Sequence, residues 1–442
     1  MRRRVQRLLL GGTTVGLAVA ASVTVIPMAS AWSAPTKSVT YRGLTVNVPR
    51  SWPVIDLAKT PKACVRFDRH AVYLGHPGST QDCPARLIGK TEALLIEPID
   101  ATSARTAGTG VVRVPAGKKA PASLESTADG AVSVAVEGAG VLVTATYGTD
   151  RAVVERIVGG SSVASGARAA TLTTGAVAGT ALTAAAVEVP GSFAGKGFDA
   201  CTAPSSASMD AWLSSPYRAI GVYIGGASRG CAQPNLTAEW VSRQAAKGWR
   251  IFPIYVGLQA PCTSFANRID PANAPAQGRA AADDAANKAA ALGMARGSVI
   301  IEDMEWYARG ADCSKAVLEF LSAWTVRLHE RGYRSSVYSS VSAAITDLVA
   351  NYSNAAYTRP DQIDFARWDG VATVLDSGVP ASYWWPAQRI KQYAGDHKET
   401  HGGVTINIDS NQLDVAAAVP VKCLGTGCPG SPTPILGRRS IG

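Results

Sequence analysis

The chain has 442 residues, 47% of them hydrophobic and 17% charged, which excludes a disordered chain or a coiled coil and exceeds what one core usually organises. The net charge of +10 falls to +6 once the N-terminal arginines Arg2, Arg3, Arg4 and Arg7 are set aside, and residues 196–420 hold 20 basic against 21 acidic side chains. No basic stripe interleaved with aromatics occurs, which argues against a nucleic-acid partner.

In chain order, residues 1–31 read as an export signal: a basic head, an apolar stretch over 8–27, and Ala29-Ser30-Ala31 as the cleavage motif, with cleavage after Ala31. A secreted, extracellular or cell-wall location follows, with no later segment apolar and long enough to span a membrane. Export makes disulfides the natural use of the eight cysteines. Pairing neighbours (Cys64–Cys83, Cys201–Cys231, Cys262–Cys313, Cys423–Cys428) is the simplest scheme, and the sequence leaves other pairings open.

Residues 36–160 are expected to form a small β-rich accessory domain. TYRGLTVNVP (40–49) alternates, HAVYLGHPG (70–78) ends in a Pro-Gly turn, and 131–147 reads as a hairpin turning at Gly138–Gly140. Its histidines, His70 and His76, read as loop residues without partners close in sequence. Residues 161–192 collapse to Ala, Thr, Gly, Ser and Val, the composition of a linker.

From 195 to 420 short strands alternate with helices. The strands fall at 196–200, 218–225, 249–257, 298–306, 333–340, 363–368, 389–393 and 404–409, and the clearest helices at 237–247, 273–293 and 314–331. Eight such strands predict an α/β fold, an irregular (β/α)8 TIM-like barrel, because the connection over 369–388 (with Pro380 and Pro386) is a poor helix. Residues 421–442 remain as a C-terminal tail.

Barrel chemistry gathers at the C-terminal ends of the strands. Those ends carry Asp199, Tyr223, Tyr255, Asp303 with Glu305, Tyr338, Trp368, Gln392 with Tyr393, and Asp409. The densest cluster lies in GSVIIEDMEWY (297–307). Two residues apart on a strand, Asp303 and Glu305 share the Ile301 face, about 7 Å apart at Cα, while Glu302 points the other way. Two carboxyls in one pocket raise the proton affinity of at least one, which general-acid cleavage of a glycosidic bond requires. Eight of the ten tryptophans lie at or after Trp212, and Trp306, Trp368 and Tyr393 are the candidates for stacking on sugar rings. Trp212, Trp240, Trp249 and Trp324 sit in or beside helices and read as packing. No HExxH or HxH occurs, so zinc has no signal; no serine nucleophile, no cofactor and no metal site is assigned.

The runs KGFDACTAPS (196–205), YRAIGVYIGG (217–226), GWRIFPIYVG (248–257), IIEDMEWY and IKQYAGD…INIDSNQLD resemble the glycoside-hydrolase-like barrel domain of exported actinobacterial proteins. That family is similar, more distantly, to family 25 glycoside hydrolases, the lysozyme-like muramidases. The resemblance covers about 195–418 and implies a site built from Asp199, Asp303, Glu305 and Asp409. It implies Glu305 as proton donor and Asp303 as the group that orients or stabilises developing positive charge. Glu302 departs from the apolar or aromatic residue expected before that Asp, and is either a disturbance of the pair or a solvent-facing charge. Tyr223, Tyr255, Trp306, Tyr338, Trp368, Gln392, Tyr393 and Asp409 are the expected substrate-binding set. The sequence thus points to a hydrolase of cell-wall polysaccharide, peptidoglycan above all. The alternatives are a wall-binding barrel without turnover and, further off, a metal-dependent phosphodiester hydrolase.

Overall fold

The structure, a computed structural model, describes residues 35–106, 110–121, 129–173 and 186–416. The expected export signal, the tail and the Cys423–Cys428 pair lie outside the described residues.

In the N-terminal part, β1 (Thr36–Tyr41) and β2 (Leu44–Pro49) pair antiparallel, and the alternation of LTVNVP buries Leu44, Val46 and Val48. A mixed six-stranded sheet follows, built from β3 (Val54–Asp56), β4 (Val72–Leu74), β5 (Ala93–Pro98), β6 (Val112–Val114), β7 (Ala131–Val136) and β8 (Val141–Thr146) in the order β3-β4-β5-β8-β7-β6. The expected hairpin is β7–β8, turning through Gly140, whose φ of 60° is left-handed and suits glycine. Of two short helices, α1 (Ala101–Thr106) and α2 (Arg151–Gly159), the second is capped by Asp150 accepting the Val153 N–H. His70 and His76 do have partners: His70 stacks on Trp52, and His76 bridges Glu97 and Asp100 at 3.0 and 2.8 Å. Those contacts join residues twenty or so apart, beyond what local sequence shows.

The segment expected as a linker is not uniform. Ser162–Val163 forms β9 against β2, and Leu172 is buried with Ala135 and Leu142. At its far end, Val187 and Val189 pair with the chain around Met294 and Val299. A few apolar side chains anchor both ends, despite the Ala/Thr/Gly composition between them.

The remainder is a closed eight-strand barrel: β10 (Phe193–Asp199), β11 (Ala219–Gly225), β12 (Arg250–Tyr255), β13 (Val299–Asp303), β14 (Arg334–Ser340), β15 (Gln362–Ala366), β16 (Gln388–His401) and β17 (Val404–Val415). Strands β10 to β16 run parallel to their neighbours in sequence, whereas β17 is antiparallel to both β16 and β10. Helices α3 (Ser206–Ala211), α4 (Ala238–Ala246), α5 (Ala274–Ala291), α6 (Ala311–Glu330) and α7 (Thr346–Ala350) fill the connections as far as β15. Beyond β15 the alternation stops. The Pro-containing 367–387 connection forms no helix, and Gly402-Gly403, both at positive φ, fold β16 back onto β17 as a hairpin. Trp212, Trp240, Trp249 and Trp324 are all buried between barrel and helices. Disulfides Cys64–Cys83, Cys201–Cys231 and Cys262–Cys313 follow the neighbour scheme. Among the described residues, no helix is long and apolar enough to cross a membrane.

The N-terminal part is stitched to the barrel by main-chain hydrogen bonds: Phe67 N–H to Gly230 O, Ala232 N–H to Val65 O, Gly89 N–H to Ser228 O and Gly230 N–H to Leu87 O, all within 3.1 Å. Beside this seam Lys90 is buried, donating to the carbonyls of Asp129 and Gly226. The Asp129 carboxylate lies 3.6 Å from Lys90 Nζ and 3.5 Å from Lys288 Nζ, and accepts the Gly226 N–H at 2.8 Å. Burial pulls the Lys90 ammonium down to about 8, against the field of Asp129. Asp129→Asn leaves that buried ammonium without its counter-charge and is expected to cost about 3 kcal/mol in urea unfolding at pH 7. The cost should shrink above pH 9, where Lys90 is neutral in the folded state.

Candidate active site

The alternation of the barrel strands turns Asp199, Tyr223, Ile301, Asp303, Tyr338, Gln392 and Asp409 into one mouth. Asp199, Asp303 and Asp409 are buried there. Asp199 accepts hydrogen bonds from Tyr223 Oη (2.8 Å), Asn411 Nδ2 (2.7 Å) and Gln392 Nε2 (3.2 Å). The Gln392 amide also reaches Asp409 (3.3 Å), and its oxygen accepts from Tyr338 Oη and Trp368 Nε1, both at 2.9 Å. Asp409 further accepts the Asp396 N–H at 2.5 Å. Gly221 is adjacent to Asp199 in the ladder, and a Cβ there would lie 2.7 Å from the Asp199 Cβ, so only glycine leaves room for the carboxylate's strand.

β13 ends at Asp303, three residues earlier than its apolar run predicts, and Glu305 stands on the segment just past it. Gln259 splints that turn: its Nε2 donates to Asp303 O and its Oε1 accepts the Glu305 N–H, each at 2.8 Å. Glu305 lines an open pocket of about 360 Å³ with Trp306, Tyr338, Ser340, Ser342, Arg367 and Trp368. Trp306 and Trp368 are 58% and 52% exposed, so each offers a free aromatic surface at the pocket.

One residue at the mouth comes from the N-terminal part. Arg86 Nη1 donates to Tyr338 Oη at 2.6 Å, lies 3.4 Å from Glu305 Oε1, and its guanidinium sits 5.3 Å from the Trp368 ring centroid.

Burial dominates the electrostatics. It pushes Asp303 well above the usual carboxylate range, helped by Glu305, and raises Glu305 against the pull of Arg86. It raises Asp199 despite three hydrogen bonds, and carries Asp409 up to about 8, with Asp199 adding to the effect. Asp303 and Asp409 are thus the members driven furthest toward the protonated form, and acids this close titrate together rather than one by one.

Two expected members lie elsewhere. A register shift between Tyr223 and Gly225 puts Tyr255 opposite Gly225 and Glu302, on the helix-facing side, where its hydroxyl donates to Asp284 of α5 at 2.9 Å. Tyr393 follows the inward Gln392, so alternation turns it outward, where it is buried near Tyr217. Glu302 is not a solvent-facing charge: it is buried against Gly257, and burial holds its carboxyl well above the usual range. Sequence reasoning missed Arg86, Gln259, Asn411 and Asp364. Asp364 is buried in β15, pushed well up by burial and by Asp199; an aspartate inside the apolar run IDFA was its available signal. Among the described residues, no group of three or more His, Cys, Asp or Glu is arranged to hold a metal ion.

Residues 210–413 match the Rv2525c-like, glycoside hydrolase-like domain family. The resemblance carried by the sequence motifs is the same one, and the matched stretch includes Asp303, Glu305 and Asp409 but begins after Asp199. Solved structures similar to the chain include the Tat-secreted protein Rv2525c of Mycobacterium tuberculosis (15% identity, 50% of this chain and 96% of that one, TM-score 0.37). The spore cortex lytic enzyme SleM of Clostridium perfringens matches at 14% identity (50% and 67%, TM-score 0.35), and a family 25 glycosyl hydrolase of Bacillus anthracis at 16% (49% and 88%, TM-score 0.30). No curated protein matches the chain.

A carboxyl raised by burial binds its proton more tightly folded than unfolded. Its contribution to stability is complete below the unfolded value near 4 and is lost as pH climbs through the folded value. The melting temperature is accordingly expected to fall between pH 4 and 8, and Asp409→Asn should flatten that slope in a pH series of thermal scans.

Proposed function

We propose that the barrel hydrolyses a cell-wall glycan of the peptidoglycan type by carboxyl general-acid catalysis, in a chain exported by its first 31 residues. The observation that carries this reading is the pairing of a carboxyl cluster whose proton affinities burial raises (Asp199, Asp303 and Asp409 buried, Glu305 half-buried) with an open pocket walled by two exposed tryptophans. The family match over 210–413 supports it independently.

Among the four acids, Glu305 is the one that lines the open pocket, so it is the group placed to meet a glycosidic oxygen. Its proton passes to that oxygen as the bond to the anomeric carbon breaks, and the leaving sugar departs as an alcohol. Asp303, next to it and inside the mouth, stabilises the positive charge that develops on the ring in the state where the pair's shared proton sits on Glu305 and Asp303 is ionised. Burial of Asp303 opposes that state, and the reading therefore requires substrate binding to favour it. Water, or the substrate's own N-acetyl oxygen followed by water, closes the reaction at the anomeric carbon. Trp306 and Trp368 hold neighbouring sugar rings, and Ser340 and Ser342 offer hydroxyl contacts to them.

The competing reading is a wall-binding barrel without turnover. It draws on the Arg86 contact, which favours an ionised Glu305. The two separate cleanly on purified peptidoglycan. Under the hydrolase reading, Glu305→Gln lowers release of reducing ends by a factor of about 100 to 10,000 while pelleting with the glycan as the wild type does. Equal binding by both proteins with no reducing ends from the wild type at any pH would establish the binding reading instead.

A further inference from the structure

Arg86 enters the mouth of the barrel from a loop of the N-terminal part, and the backbone on both sides of it is tied down. Upstream, Cys83 is disulfide-bonded to Cys64, its carbonyl accepts from Asn407 Nδ2 at 3.4 Å, and the Ala85 N–H donates to Asp396 Oδ1 at 3.2 Å. Downstream, Ile88 bridges antiparallel to Arg229, and Lys90 is buried in the seam described above. A plug that swings away would have to break all of these contacts together. The open pocket beside Glu305 also persists with Arg86 in place, as one of its walls. The geometry is that of a fixed component.

We propose that Arg86 is a positioning residue of the candidate active site, lent by the N-terminal part, which holds the Tyr338 hydroxyl and the Glu305 carboxyl in one arrangement and makes the site a joint product of both parts of the chain. The catalytic consequence rests on the glycosidase reading; the electrostatic consequence does not.

The acids around the mouth explain why a cation matters there. Asp199 raises the proton affinity of Glu305, and Asp303 stands beside it on the same segment. Around the same mouth stand Tyr223 on β11, Tyr338 on β14, Asp364 on β15, Gln392 on β16, Asp409 on β17 and Asp396 in the β16–β17 hairpin; Glu302 is on the far face of β13. Arg367, at the pocket's edge, is engaged by Asp376 through Nε and Nη2. Arg86 is the cation that pulls down the proton affinity of Asp199, Asp303, Glu305 and Asp409 alike. Its own charge survives burial because a guanidinium stays protonated throughout the ordinary pH range, and the Glu305 carboxyl lies 3.4 Å from its Nη1. Removing that charge raises the proton affinity of the carboxyls, so both limbs of a pH–rate profile should move to higher pH. A guanidinium within 4 Å of a carboxylate is worth about 1 to 3 pH units.

The test uses the full chain as wild type, Arg86→Lys, Arg86→Gln and Arg86→Met, labelled with ¹³C at Asp and Glu carboxyls. The Glu305 resonance is assigned by its loss in Glu305→Gln, and folding is checked by circular dichroism. The expected result is a Glu305 titration midpoint at least about one pH unit higher in the Gln and Met variants, with most of the shift reversed in the Lys variant. In turnover of peptidoglycan, the same variants should move the pH optimum upward rather than lower the rate equally at every pH. Folded Gln and Met variants with unmoved titrations would overturn the proposal. If neither variant folds, Arg86 is a packing residue and the proposal falls as well. A wild type without turnover removes the glycosidase reading but leaves the titration result to stand or fall alone.

Discussion

The interaction on which the site depends is the contact between the Arg86 guanidinium and the ring of buried acids at the mouth of the barrel. Burying several carboxyls together is costly, because each ionised form loses its hydration and repels the next. The barrel meets that cost in three ways at once. Protons stay on part of the cluster, neutral donors (Tyr223, Asn411 and Gln392) satisfy Asp199, and a cation arrives from a part of the chain more than a hundred residues away.

That arrangement gives the two parts of the chain a physical reason to be joined as they are. The main-chain hydrogen bonds around Gly89 and Gly230 fix the loop, and the Lys90–Asp129–Lys288 charges hold the seam beside it. Disulfides close both sides of the same region, Cys64–Cys83 on one and Cys201–Cys231 on the other. Gln392 then relays the organisation across the mouth, touching Asp199, Asp409, Tyr338 and Trp368. The exposed tryptophans stand just outside this ordered set, where a flexible glycan chain could meet a rigid surface.

Much of the barrel was legible because its strands are short apolar runs that end in acids, a pattern that local periodicity reveals. That pattern set Asp199, Asp303, Glu305 and Asp409 at one rim, and the structure brings Asp199, Asp303 and Asp409 into one mouth with Glu305 at the adjoining pocket. Tyr255 and Tyr393 were misplaced by a different physics: the bulge after Tyr223 changes which side of the ladder Tyr255 occupies, and a single-residue step puts Tyr393 behind Gln392. Alternation fixes such faces only when register is known. Arg86 had no sequence signal at all. It lies in an irregular loop, 252 residues from Tyr338, and its position follows from how the two parts dock. The last antiparallel strand likewise depends on the Gly402-Gly403 turn, a local signal for a hairpin that the helix–strand alternation masks.

The central claim is that these acids form a working general-acid site. The most direct measurement is the rate of new reducing ends from purified peptidoglycan by the unaltered protein, followed from pH 3 to pH 9. The account predicts a bell-shaped profile, its alkaline limb marking loss of the proton that the buried cluster holds and its acid limb marking protonation of the partner carboxylate. A flat baseline with no reducing ends at any pH in that range would contradict it.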